Sequence, residues 1–71
     1  MRAWLKQIRN LKGMSEMDVA VAANIAQPFY HNIENGTKSP SVKTAKTIAL
    51  ILGFDWTLFY ADIKPEVREA M

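Results

Sequence analysis

The chain has 71 residues, 49% of them hydrophobic and none a cysteine, so it has neither a disulfide scaffold nor a thiolate metal site. Its length suits one small domain with no room for a second fold or a deep catalytic cavity; with no glycine-rich phosphate loop and no paired acids beside a base, the sequence argues against an enzyme and implies no cofactor. The net charge of +2 is unevenly spread, seven lysines and arginines against three carboxylates up to residue 46 and two against four beyond it, as suits a protein that lays one face on a polyanion.

Met1 to Asn10 mixes charged with apolar residues and forms no signal-peptide core. From about Ala3 to Leu11 the pattern predicts helix 1, with Trp4, Leu5, Ile8 and Leu11 as a broad apolar face, ended by Lys12-Gly13. Ser15 is an N-cap with Asp18 three residues on, which starts helix 2 near Glu16. Val19, Ala20 and Ala23 follow at helical spacing, Ala20 being small where two steeply crossing helices approach each other. Helix 2 stops at Asn24, the non-glycine residue that best tolerates the left-handed turn needed there, and Ile25 plugs the corner. Helix 3 restarts at Gln27 or Pro28, where the missing proline N–H costs nothing, turns Tyr30 and Ile33 inward and ends at Gly36.

Pro40 and the N-cap Ser41 precede helix 4, whose Val42, Ala45, Ile48, Ala49 and Leu52 recur at helical spacing up to Gly53 and supply half the core. The longest apolar stretch, Ile48 to Leu52, is far short of a membrane span, and the chain reads as cytoplasmic. Asp55 caps a short helix 5 through Trp56, Leu58, Phe59 and Tyr60, whose aromatics close the bottom of the bundle. Pro65 is placed to start a sixth helix, but too few apolar residues follow to hold it alone, so 61–71 is a tail or a short arm. No β pattern, repeat or linker interrupts this all-α plan, with the domain at 1–60.

Two short helices joined by such a turn predict a helix-turn-helix whose second member is free to enter a DNA groove. Leu5, Ile8 and Arg9, the turn Lys12-Gly13-Met14-Ser15, the run Ile33-Glu34-Asn35-Gly36-Thr37-Lys38 with Pro40 and Ser41, then Ala45, Ile48, Ala49, Leu52 and Gly53, and finally Asp55 to Phe59, together resemble the phage-repressor-like helix-turn-helix family, the Xre/Cro type of bacterial and phage transcriptional regulators. The likeness runs from about Trp4 to Tyr60. It implies a compact five-helix lambda-repressor-like fold with the helix-turn-helix at helices 2 and 3, and a sequence-specific DNA-binding regulator, a repressor of phage or mobile-element type.

The same resemblance assigns base contacts to Gln27, Pro28, His31 and Asn32, with Ala26 at the helix entrance. The amides of Gln27 and Asn32 can donate and accept at once, as a bidentate pair with adenine requires, while Pro28 and Phe29 offer apolar surface to a thymine methyl. His31 suits a phosphate or a guanine. Backbone contacts fall to Ser15, Phe29, Asn35, Thr37, Lys38 and Lys43, aided by the N-termini of helices 2 and 4. Phe29 is expected in solvent, against a sugar or a partner, and Tyr30 in the core with its hydroxyl at the edge. One departure from the family pattern bears on these phosphate contacts: Glu16 stands where glutamine is usual, and a carboxylate repels phosphate, so it either turns away or weakens binding. The family also pairs the arginine of helix 1 with the glutamate ending helix 3, which makes Arg9 and Glu34 a structural ion pair; Gln at position 9 would cost roughly 1 to 3 kcal/mol.

A single small domain reads only a half-site, so two copies on a near-palindromic duplex are expected, with Trp56, Phe59, Tyr60 and the tail as candidate contacts of a homodimer. The rival class is a protein-interaction module of the same fold, an antirepressor or antitoxin-like partner, docking through Val21, Phe29 and Trp56; Val21 and Ala22 favour it by making the outer side of helix 2 apolar.

Overall fold

Capping chemistry sets where each helix starts and stops. A computed structural model of the protein describes residues 1–61, and among them the chain forms five α-helices and no strand: α1 (Ala3–Leu11), α2 (Glu16–Ala23), α3 (Gln27–Asn35), α4 (Val42–Leu52) and α5 (Leu58–Ala61). Ser15 opens α2 with a full capping box: its hydroxyl accepts from the Asp18 N–H at 3.0 Å, and the Asp18 carboxylate accepts from the Ser15 N–H at 2.9 Å. Ser41 opens α4 with the first of these bonds alone, accepting from the Thr44 N–H at 3.2 Å. Ala26 brings no side-chain acceptor to α3, whose start relies instead on Pro28, a residue with no N–H to satisfy.

The exits share one device. Asn24 takes a left-handed conformation, φ 59°, and the Ile25 N–H then reaches back to the Ala20 carbonyl at 3.0 Å. At the end of α3, Gly36 at φ 85° lets the Thr37 N–H bond the Asn32 carbonyl at 3.0 Å. These are Schellman closures, and they turn the chain sharply enough for α2 to pack on both α3 and α4, with α1 against α3.

Leu5, Val19, Ala20, Tyr30, Ile33, Ala45, Ile48, Leu52 and Phe59 form the core, with Trp4, Ile8, Met14, Ile25, Phe29 and Phe54 packed around it. Trp4 meets Phe54 and Phe59 edge-on, each pair with ring centroids 5.3 Å apart.

Three expectations need correcting. Leu11 is 88% exposed, because α1 turns its Leu5–Arg9 edge inward and Leu11 lies about 120° around the helix from Leu5. Val42 is on the inward stripe of α4 but in its first turn, and remains 45% exposed. Helix α5 is shorter than expected: the Asp55 carboxylate accepts from the Thr57 N–H at 3.0 Å and its hydroxyl at 2.8 Å, making a turn that holds Trp56 and Thr57 outside the helix. The bonds to Thr57 also hold the Asp55 carboxyl below its usual range. No helix among the described residues is long and apolar enough to cross a membrane. The expected tail or arm, with its sixth helix from Pro65, lies outside the described residues apart from Ala61.

Candidate nucleic-acid interface

Helix α3 has two unlike edges. Tyr30, Ile33 and Glu34 are buried, which leaves Gln27, Pro28, His31 and Asn35 on the side away from the core. What fixes this rotation is an ion pair. Arg9 Nε donates to Glu34 Oε2 at 2.8 Å and its Nη2 to Oε1 at 3.0 Å, a two-pronged contact with both side chains buried. Arg9 also donates to the Met14 carbonyl at 2.9 Å, tying down the α1–α2 turn.

The Tyr30 hydroxyl completes the cluster by donating to Glu34 Oε2 at 2.8 Å; it reaches inward to the carboxylate and not, as expected, to the edge of the core. Burial pushes the Glu34 carboxyl upward, but the bonds from Arg9 and then Tyr30 outweigh it and hold the group below its ordinary range. The bond to Glu34 pushes the Arg9 guanidinium up against the effect of its burial. Burial first, and Glu34 second, push the Tyr30 phenol well above its ordinary value.

On the outer edge two of the four candidate base readers, Gln27 and His31, meet at Glu16, the residue that departed from the family pattern. Glu16 Oε1 accepts from Gln27 Nε2 at 2.9 Å, and the His31 Nδ1 lies 3.0 and 3.1 Å from the two oxygens of the same carboxylate. Asn35 Nδ2 stands 2.8 Å from the other ring nitrogen of His31. Glu16 therefore does not turn away: it is the hub of a polar chain from Gln27 through His31 to Asn35. Gln27 keeps its carbonyl oxygen and a second amide hydrogen for a ligand, the pair of groups that adenine needs.

The other candidates divide between outer surface and fold. Thr37, Lys38 and Lys43 are exposed, as are Ser15 and Pro28. Asn32 is half-buried, and its carbonyl receives the N–H groups of Thr37 and Lys38 and the Thr37 hydroxyl. Phe29, expected in solvent, is half-buried against the core, since α3 is rotated to sink Tyr30 and Ile33 beside it. At the start of α2 the Asp18 carboxylate takes the Ser15 N–H and the Ser15 hydroxyl oxygen accepts from the Asp18 N–H, so what Ser15 keeps for an anion is its hydroxyl hydrogen. No acid occupies the first turn of α4. Phe59 is 3% exposed and belongs to the core, so it is not available as a contact between copies; Trp56 and Tyr60 stay half-buried, stacked edge-on at 5.5 Å.

Sequence reasoning missed Arg2 altogether, having counted it only as positive charge. Its backbone N–H bonds the Glu34 carbonyl at 2.8 Å, its guanidinium donates to the carbonyls of Ile33 and Lys38 and to the Ser39 hydroxyl, and it lies 5.7 Å from the Phe59 ring centroid. Arg2 is a buried staple on the C-terminal end of α3. An arginine one residue ahead of a helix gives no signal of this in sequence, because its partners are backbone carbonyls more than 30 positions away. Lys46, likewise, lies 5.1 Å over the Trp56 ring.

Comparison with known proteins gives a consistent result. The sequence profile of a helix-turn-helix family matches residues 5–59. A Bacillus subtilis protein named as an uncharacterized HTH-type transcriptional regulator, YqaF, is 48% identical over 68 residues, covering 96% of this chain and 90% of that one. The HTH-type transcriptional regulator DdrOP3 of Deinococcus deserti is 33% identical over 49 residues, 69% of this chain and 38% of its own length. No solved structure matches the chain.

Proposed function

The chain belongs to the Xre-type helix-turn-helix family of DNA-binding transcriptional regulators, and from that footing we propose that it is a repressor of phage or mobile-element type that acts in the cytoplasm by laying α3 in the major groove of an operator. Gln27, Pro28, His31 and Asn32 read base edges in this reading. Ser15, Asn35, Thr37, Lys38 and Lys43 hold the backbone, with the uncovered part of Phe29 against a sugar. Residues 1–60 are the DNA-binding unit and 61–71 a tail or arm. The observation that carries the reading is the rotation of α3: an ion pair and two core side chains bury one edge, and four polar or small side chains are left together on the other.

One domain covers a half-site, so two copies bind a near-palindrome with half-sites about one helical turn apart. Selection from random duplexes tests the core of the proposal. Enrichment of a short symmetric site, with loss of base preference at one position per half-site in Gln27→Ala, is the expected result. A protein that enriches no sequence is not a sequence-specific repressor.

A second reading, a protein-docking module such as an antirepressor or antitoxin-like partner, is favoured by Met17 and Val21, which stand exposed on α2. Salt separates the two. Binding through phosphates weakens steeply as salt rises, whereas docking through an apolar helix face hardly responds.

A further inference from the structure

Resting on the reading that α3 meets DNA, we propose that Glu16 is a positioning residue that sets base preference: by holding one amide hydrogen of Gln27, it makes that side chain accept adenine and refuse guanine. The contact spans the turn between the two helices of the motif. Gln27 Nε2 donates to Glu16 Oε1 at 2.9 Å, and both residues are half-buried. A carboxylate only accepts, so the nitrogen of the Gln27 amide, and not its oxygen, must face Glu16. Glutamine, the residue usual here in the family pattern, can give or take and would let the Gln27 amide turn either way. The carboxylate has capacity for this bond beside its other neighbour, His31 Nδ1 at 3.0 Å, because its two oxygens offer about four lone-pair sites. Its own place is set by the first turn of α2, which the reciprocal bonds of Ser15 and Asp18 fix beside it.

A glutamine side chain has two amide hydrogens and one carbonyl oxygen. With one hydrogen spent on Glu16, Gln27 brings one donor and one acceptor to a base edge. Adenine shows an N7 acceptor beside an N6 donor in the major groove and matches that pair; guanine shows two acceptors, N7 and O6, and needs both hydrogens. Against guanine the Gln27 oxygen therefore faces a lone pair with no hydrogen between them. Turning the amide over sets the same oxygen against the Glu16 carboxylate instead. Guanine could be met only by releasing Glu16, which leaves a half-buried carboxylate short of a donor, and DNA phosphates, being acceptors, cannot replace it. Glu16 thus acts on DNA in two separable ways. Its negative charge repels the backbone of every duplex alike, whereas its hold on Gln27 acts on one base.

The test uses duplexes that differ only at the position in each half-site that Gln27→Ala relaxes in the selection described above, and reads both affinity and the ratio of affinities for adenine and guanine. The unmodified protein selects adenine there. Glu16→Gln, which keeps the shape and loses the charge, raises affinity for every duplex and lowers the adenine-to-guanine ratio by about tenfold; Glu16→Ala lowers the ratio likewise. In a Gln27→Ala background Glu16→Gln leaves the ratio unchanged, since the two side chains act as a unit. A ratio that either Glu16 variant leaves in place, even where overall affinity moves, reduces Glu16 to a charge and overturns the proposal. A base other than adenine at that position, or no position relaxed by Gln27→Ala, overturns it too. Each of these outcomes leaves the repressor reading intact, whereas failure to enrich any duplex defeats that reading and takes the proposal with it.

Discussion

Glu34 is the residue on which the orientation of α3 turns, and its chemistry makes the dependence measurable. Arg9→Gln leaves a buried carboxylate with Tyr30 as its remaining neighbour in the cluster and should cost about 3 kcal/mol, because the charge stays buried while its counter-charge is removed. Tyr30→Phe removes one charge-assisted bond and should cost about 1.5 kcal/mol. Thermal unfolding checks both, and an unchanged Tm for Arg9→Gln would contradict the assignment. The pH dependence has a definite sign. Glu34 is held below its ordinary range in the fold, so its contribution is present above the unfolded carboxylate value, about 4.3, and is lost as pH falls through the lower folded value. Acid should therefore destabilise the wild type more steeply than Glu34→Gln, whose side chain takes up no proton there.

At the level of elements, stability rests on how helices begin and end. Ser15→Ala removes one arm of the capping box and should cost about 1 kcal/mol in urea unfolding. Asn24 separates a conformational requirement from a side-chain one: at φ 59° glycine is at ease, whereas Asn24→Val should cost more than about 1 kcal/mol. Equal midpoints for Asn24→Gly and Asn24→Val would show that the left-handed turn is not what closes α2. These start and stop signals were readable because a cap is local chemistry, spanning three or four residues. The rotation of each helix was less readable. Trp4, Leu5, Ile8 and Leu11 describe an apolar face wide enough to permit several rotations, and the Arg9–Glu34 pair selected the one that leaves Leu11 in solvent.

Across the whole molecule, charge that looks equivalent in sequence does unequal work. Arg2→Ala should lower stability yet leave the dependence of DNA affinity on salt unchanged, since that guanidinium is spent on carbonyls at the end of α3. Lys38→Ala, at an exposed position in the following loop, should reduce the slope of log affinity against log salt by about one. Equal slopes for both variants would return Arg2 to the DNA-facing charges. Sedimentation with a symmetric duplex should give two chains per duplex, and a strictly 1:1 complex would defeat the paired-copy proposal. The sequence by itself determined the five helices found among the described residues, the caps of α2 and α4 and the turn between α2 and α3, because helical period and capping act over a few neighbouring residues. Only the tertiary structure decided that Phe59 and Arg2 are interior and that Glu16 gathers Gln27 and His31. Those outcomes depend on groups far apart in the chain meeting at a particular helix crossing, and no local pattern encodes that meeting.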